Sequence, residues 1–321
     1  MRASRFTLFK TRPHDSERRH QLVMMRHGGN NPYHRYRKTA FLFIAPQVLV
    51  TLIFFIWPSV SAIRQSLYVG DAFGLHERFV GFLNFIALWH DQAYGAAVVA
   101  TLMTTIPIAV LTLGLGLALA VLVSGRSKSQ SLYQSFLLWP YAVAPAVAAM
   151  LWRLLCHPTL GWVTIGLSYV GYEFNYLIHP KQALWMVILT ASWQQFSYNF
   201  LFYFAALQLI PSALKEAATL DGASTWRQFW DIIFPLLSST TFFLLIMNVM
   251  YAFFDTFGII HVLTHGGPGT STTTLIYKVY QDGFVGMDPG SSSAQSVMLM
   301  VIVIGLTMLQ FRYLEHRIHY K

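Results

Sequence analysis

The chain has 321 residues, of which 55% are hydrophobic and only 11% charged, with a formal net charge of +9 and one cysteine. A soluble domain carries roughly a quarter charged residues, so this composition excludes one and indicates an integral membrane protein. The lone Cys156 excludes an internal disulfide and a cysteine-based metal cluster, and the positive excess lies mostly in an N-terminal tail that suits anionic lipid better than nucleic acid.

Residues 1–38 form a basic tail holding ten of the 22 Lys and Arg residues. Its first 35 residues lack the apolar core of a signal peptide, and Met24 or Met25 is an alternative start. Six windows free of Asp, Glu, Lys and Arg then follow: 39–63, 92–125, 129–152, 182–214, 232–254 and 289–311. Each is long enough for a helix to cross about 30 Å of hydrocarbon, which takes roughly 20 residues. They are apolar all round rather than alternating, which excludes a β-barrel. The predicted fold is all-α, with six spans over 39–313 and a short C-terminal tail, 314–321. With the N-terminus inside, 17 of the 22 Lys and Arg residues fall on one side, so both termini are predicted to be cytoplasmic.

The first span ends at Trp57 and Pro58, an interfacial aromatic and a helix-weakening residue, and reads as an anchor. In the second, Gly114 with Ala118 and Gly116 with Ala120 fall on common faces that admit close helix packing. The third carries Pro140 and Pro145 and is expected to be bent, as a kinked packing element or beside a pathway. Residues 154–172 are uncharged but hold His157, Pro158, Gly161 and Gly166; they read as an external loop with an interfacial or re-entrant helix. The fourth span contains a polar run, Trp193, Gln194, Gln195, Ser197, Tyr198 and Asn199, which suits either a substrate path or helix-to-helix hydrogen bonds. The fifth holds Asn248, Tyr251 and Asp255, the carboxylate lying either on a path or solvated at the outer end. Tyr198, Asn199, Asn248, Tyr251 and Asp255 are thus the candidate path residues. Residues 256–277, rich in Gly, Thr and His, read as a loop. The sixth span is held at the cytoplasmic interface by Arg312, Glu315 and Arg317.

Several chemistries have no signature. The phosphate loop G-x-x-x-x-G-K-[ST] is missing, so the chain is not expected to bind or split ATP. His261 and His265 have the spacing of helical metal ligands, but Gly266 to Gly269 argue against a continuing helix, and no metal is predicted. No catalytic cluster supports an enzyme, and no relay of buried carboxylates supports a stand-alone secondary transporter.

The stretch "EAATLDGASTWRQFWDIIFPLL", 216–237, is the longest hydrophilic interruption between two late spans. Pro211 ends the preceding apolar run, "SALKEAATLD" reads as a short helix, Asp221 and Gly222 as its end and turn, and Ser224 as the cap of a second helix. Leu214, Leu220, Trp226, Phe229 and Trp230 would give apolar knobs on a cytoplasmic loop, either a docking surface for another protein or a tucked amphipathic loop at the membrane interface.

Glu216, Ala217 and Ala218, then Gly222, Ile232, Phe234 and Pro235 at their spacing resemble the "EAA" motif of permease subunits of binding-protein-dependent ABC importers. Phe234 stands where that pattern has Leu. "FFIWP", "LLWPYAVAPAVAAMLW", "SYNFLFYFAALQLIP", "YAFFDTF", "TTTLIYKVY" and "AQSVMLM" extend the resemblance over roughly 40–320 to the sugar-type, maltose-like family, in particular its glycerol-3-phosphate branch. The resemblance implies a type I importer transmembrane domain in the cell inner membrane. It makes 212–235 a coupling loop, with Glu216, Ala217, Ala218, Asp221, Gly222, Ile232 and Pro235 engaging a separate ATPase dimer. It further implies no cofactor on this chain, ATP and Mg on the ATPase, a second homologous permease subunit and an external solute-binding protein. The implied cargo is sn-glycerol-3-phosphate or glycerophosphodiesters, the alternative being a sugar such as a disaccharide.

Overall fold

A computed structural model describes residues 32–70, 77–124 and 130–314. The tail before residue 32, the turn holding Arg126 and Lys128, and the residues from Glu315 onward, on which much of the expected topology rests, lie outside the described residues. The chain divides into two compact units, Met1–Ser61 and Ala62–Lys321. The first holds helix α1, Pro32–Thr51, followed by a π turn at Leu52–Ile56. A second π turn, Phe229–Ile233, likewise ends two residues before a proline. A proline ring collides with the carbonyl four residues back. Widening the turn shifts that carbonyl, and the N–H groups of Trp57 and Phe234 bond instead to the carbonyls of Leu52 and Phe229.

The second unit opens with a small antiparallel hairpin, β1 (Tyr68–Gly70) and β2 (Glu77–Phe79), in which Tyr68 faces Phe79. The hairpin adds a strand pair to an otherwise helical chain. The main helices are α2 (Gln92–Ser124), α3 (Gln130–Ala142), α4 (Pro145–Leu155), α5 (Pro180–Gln208), α6 (Ser212–Leu220), α7 (Thr225–Gln228), α8 (Ser238–Met250), α9 (Phe257–Leu263), α10 (Leu275–Tyr280) and α11 (Pro289–Leu314).

The α2/α5 pair forms the spine of this unit. At Gly116 an added Cβ would lie 2.5 Å from the Cβ of Asn199, so only glycine lets the two backbones approach this closely. Ala120, one turn on, is fully buried, whereas Gly114 and Ala118 are exposed. Of the two small faces expected on this span, one is used to pack the described residues.

Among the described residues four helices are long and apolar enough to cross a membrane: Phe41–Gln65, Gln92–Ser124, Ser238–Asp255 and Pro289–Arg312. The third predicted span is not one bent helix. It breaks after Ala142, and α3 and α4 meet at 98°, because Pro145 forces the residue before it into extended backbone (Ala144 ψ 141°). Helix α5 has the length, at 29 residues, but its polar run keeps it out of the apolar set. It also stops at Gln208 rather than continuing to residue 214, Pro211 again disfavouring helix just upstream.

Two further loops are resolved. Beyond the end of α4 at Leu155, the stretch to residue 172 contains the short helix Trp162–Tyr169. The loop expected over 256–277 is a correction: it contains α9 and the start of α10. The Gly/Thr-rich part alone is irregular, and there the Thr264 and Thr272 hydroxyls pair at 2.7 Å while Thr272 and Thr273 donate to the carbonyls of Gly267 and Gly266. Helix α9 ends before His265, whose φ is 51°, so His261 and His265 do not share a helical face.

Candidate functional site

Two places gather the candidate residues. The first is the helix–bend–helix over 212–236. Helix α6 closes in a Schellman arrangement: the Ala223 N–H donates to the Ala218 carbonyl at 2.9 Å and the Gly222 N–H to the Thr219 carbonyl at 3.1 Å. Gly222 takes the left-handed φ of 76° that this closure requires and that a side chain would strain. Ser224 then caps α7, its hydroxyl accepting from the Arg227 N–H at 3.4 Å. The Gln228 amide donates to the Thr219 hydroxyl at 3.1 Å and to the Ala223 carbonyl at 2.9 Å, holding the second helix against the first.

On this frame Glu216, Ala217, Asp221 and Pro235 are exposed, Ala218 is buried and Ile232 is half-buried. Leu220 is 88% and Trp226 72% exposed. Trp226 stacks edge-on to Trp230 at 5.6 Å, and Trp230 contacts Phe234 at 5.1 Å, giving a continuous aromatic strip beside the bend. The Arg227–Asp231 pair at 3.1 Å is well exposed and contributes little.

The second place is a cleft of ≈ 480 Å³ where the break between α3 and α4 meets α5 and the end of α8. Its wall includes Tyr141, Gln194, Gln195, Tyr198, Tyr251 and Asp255, with the backbone of 142–145. Three of the five candidate path residues, Tyr198, Tyr251 and Asp255, therefore share one cavity. Asn199 and Asn248 do not line it: both are fully buried and bond reciprocally, at 3.0 and 2.7 Å, clasping α5 to α8. For these two the structure favours the helix-to-helix alternative.

The polar groups of the cleft divide into used and unused. Gln194 donates its amide to the Val143 carbonyl, fastening the helix break to α5, and accepts from the Tyr251 hydroxyl at 3.3 Å. Tyr251 also reaches the Ala191 carbonyl at 3.3 Å. By contrast, among the described residues the side chains of Gln195, Tyr141, Tyr198 and Asp255 have no hydrogen-bond partner. Gln195 is only 7% exposed, so its free amide has nowhere to point but the cleft. Gln194 and Gln195 belong to the polar run that the sequence reads as a path or as helix-to-helix bonds, though not to the five candidate path residues; Tyr141 alone was not singled out, and the paired prolines beside it were the signal.

A further cluster joins residues remote in sequence. Lys278, 7% exposed, pairs with Asp282 at 2.8 Å and Asp91 at 3.2 Å, and Gln295 also donates to Asp282. Burial pushes the Lys278 ammonium down, but hydrogen bonds and charge from both carboxylates outweigh it, and its pKa is raised above the ordinary lysine value. Partial burial pushes Asp91 up; the Ala93 N–H and Lys278 outweigh that and lower it.

The sequence profile described as "Binding-protein-dependent transport system inner membrane component" matches residues 98–320. The chain is similar to the sn-glycerol-3-phosphate transport system permease protein UgpA of Rhizobium meliloti (strain 1021), at 49% identity over 280 residues covering 87% of this chain and 96% of that one. Against the protein of the same name from Brucella abortus biovar 1 (strain 9-941) the identity is 50%, with the same coverage. The fold is similar to that of a chain in the crystal structure of a bacterial alginate ABC transporter in complex with alginate pentasaccharide-bound periplasmic protein. There the TM-score is 0.76 at 20% identity, covering 87% of this chain and 94% of that chain.

Proposed function

The chain belongs to the family of binding-protein-dependent transport system inner membrane components, and from that membership we propose that it is one of two non-identical permease subunits of an ATP-driven importer of sn-glycerol-3-phosphate. It is a multi-pass protein of the cell inner membrane with both termini cytoplasmic. The six spans are the four apolar helices, the broken α3/α4 pair and α5. The bend at Gly222 seats the 212–235 loop in a cleft of a separate ATPase subunit, where ATP and Mg are used; this chain holds no cofactor. An external binding protein delivers the substrate, and closure of the ATPase dimer switches access between the two sides.

The observation that carries this reading is the loop itself. An exposed helical elbow, fixed by a left-handed glycine and the two Schellman bonds, displays Leu220 and the outer face of the Trp226/Trp230 strip. Apolar surface on a rigid polar loop is a docking feature. The substrate rests on the near-half identity to the UgpA proteins along almost their whole length. Uptake by the reconstituted complex of labelled sn-glycerol-3-phosphate, compared with maltose and trehalose, tests it. Preference for the phosphate ester is expected; preference for a neutral disaccharide would overturn the substrate and leave the family standing.

A further inference from the structure

We propose that the cleft beside the α3/α4 break reads the two ends of the substrate separately, Asp255 accepting hydrogen bonds from its hydroxyls and the Gln195 amide donating to its phosphate. This rests on the polyol phosphate import proposed above. Among the described residues no Lys or Arg lines the cleft, so within it a phosphate meets only neutral donors from this chain. The bonding pattern selects the donor. Gln194 is committed to Val143 and Tyr251, and Tyr251 to Gln194 and Ala191, which leaves Gln195, buried and unpartnered, as the free amide.

The carboxylate has the opposite requirement. An ionised carboxylate accepts hydrogen bonds and cannot donate; a phosphate dianion likewise only accepts, and like charges repel in a site partly shielded from water. Asp255 is exposed within the cleft and has no ion-pair or hydrogen-bond partner among the described residues, and the committed Tyr251 hydroxyl does not satisfy it. The groups on a glycerol phosphate that suit it are the carbon-borne hydroxyls. The ester is thus oriented hydroxyl end toward Asp255 and phosphate away from it, the phenols of Tyr141 and Tyr198 supplying further neutral donors. At about 30 Å³ per water-sized group, ≈ 480 Å³ holds such an ester with water to spare.

The test uses the whole complex in liposomes with its binding protein. It compares uptake of sn-glycerol-3-phosphate with that of propane-1,3-diol monophosphate, which keeps the phosphate and lacks the central hydroxyl. Because the binding protein is the same throughout, a change in the ratio of the two rates belongs to this chain. D255N is expected to cut wild-type discrimination about tenfold, the usual worth of one hydrogen bond to a charged group, and D255E to keep it. Q195E is expected to slow both esters and leave the ratio unchanged. A D255N ratio equal to wild type, or equal loss in D255N and D255E, would overturn the assignment. If D255N does not assemble, D255A gives the same comparison with the same expected loss. A wild-type complex that takes up neither ester overturns the import reading itself, a result distinct from an active wild type with an indifferent Asp255.

Discussion

At the scale of single residues, two positions illustrate different kinds of constraint. Gly222 has open space around it, yet its φ of 76° is a conformation that side chains adopt at a cost. Gly222→Asp is therefore expected to distort the elbow without disturbing the spans. The complex should assemble poorly with the ATPase or lose most of its binding-protein-stimulated ATP hydrolysis; wild-type values for both would remove the coupling role. Asn199 and Asn248 are constrained by each other. Asn199→Ala leaves a buried amide unsatisfied and is expected to cost roughly 1–2 kcal/mol. A double replacement by Leu should cost less than the sum of the single changes, as thermal unfolding in detergent can show. Strict additivity would mean that the bonds at 3.0 and 2.7 Å carry no coupling.

At the scale of elements, the α2/α5 contact depends on one missing side chain. Gly116→Leu is expected to separate the helices and abolish assembly, whereas Gly114→Leu, with nothing within 4 Å of its added Cβ, should leave the fold of this chain intact. Co-purification with the second permease subunit distinguishes them. The Lys278 cluster predicts a pH response. Asp91 is lowered in the fold, so its stabilisation is present above the ordinary value of 3.8 and is lost as pH falls through its folded value. Lys278 is raised, so its contribution is present below the ordinary 10.5 and is lost as pH rises through its folded value. Stability should be flat between those limits, with Lys278→Met weakening the acid limb while the Ala93 N–H bond to Asp91 keeps part of it; an unchanged acid limb would rule out the Lys278 pair as a contributor. The elements themselves were legible where local chemistry dominates. Pro211, Asp221–Gly222 and Ser224 spelled out the elbow, and Gly116/Ala120 a packing face. The contacts of Lys278 with Asp91 and of Gln194 with the α3/α4 break were not, because they join residues separated by whole spans. The helical start and end of 256–277 were hidden by the Gly- and Thr-rich run between them.

At the scale of the molecule, an apolar chain joins a polar cleft to an exposed helical elbow, an arrangement suited to moving a small hydrophilic solute. The break in α3/α4 opens the cleft, α5 supplies its polar wall, and the π turn Tyr251–Asp255 that follows α8 its acid end. The elbow over 212–236 follows directly on α5 and leads into α8, so a force applied at Gly222 reaches two walls of the cleft through short connections. The proposed function takes its energy from a separate ATPase subunit, and this is its central claim. It is measured most directly by accumulation of labelled sn-glycerol-3-phosphate in proteoliposomes carrying the complete complex, with and without ATP and Mg. The account predicts accumulation that requires both nucleotide and the ATPase subunit. Equal uptake by this chain without either would contradict it.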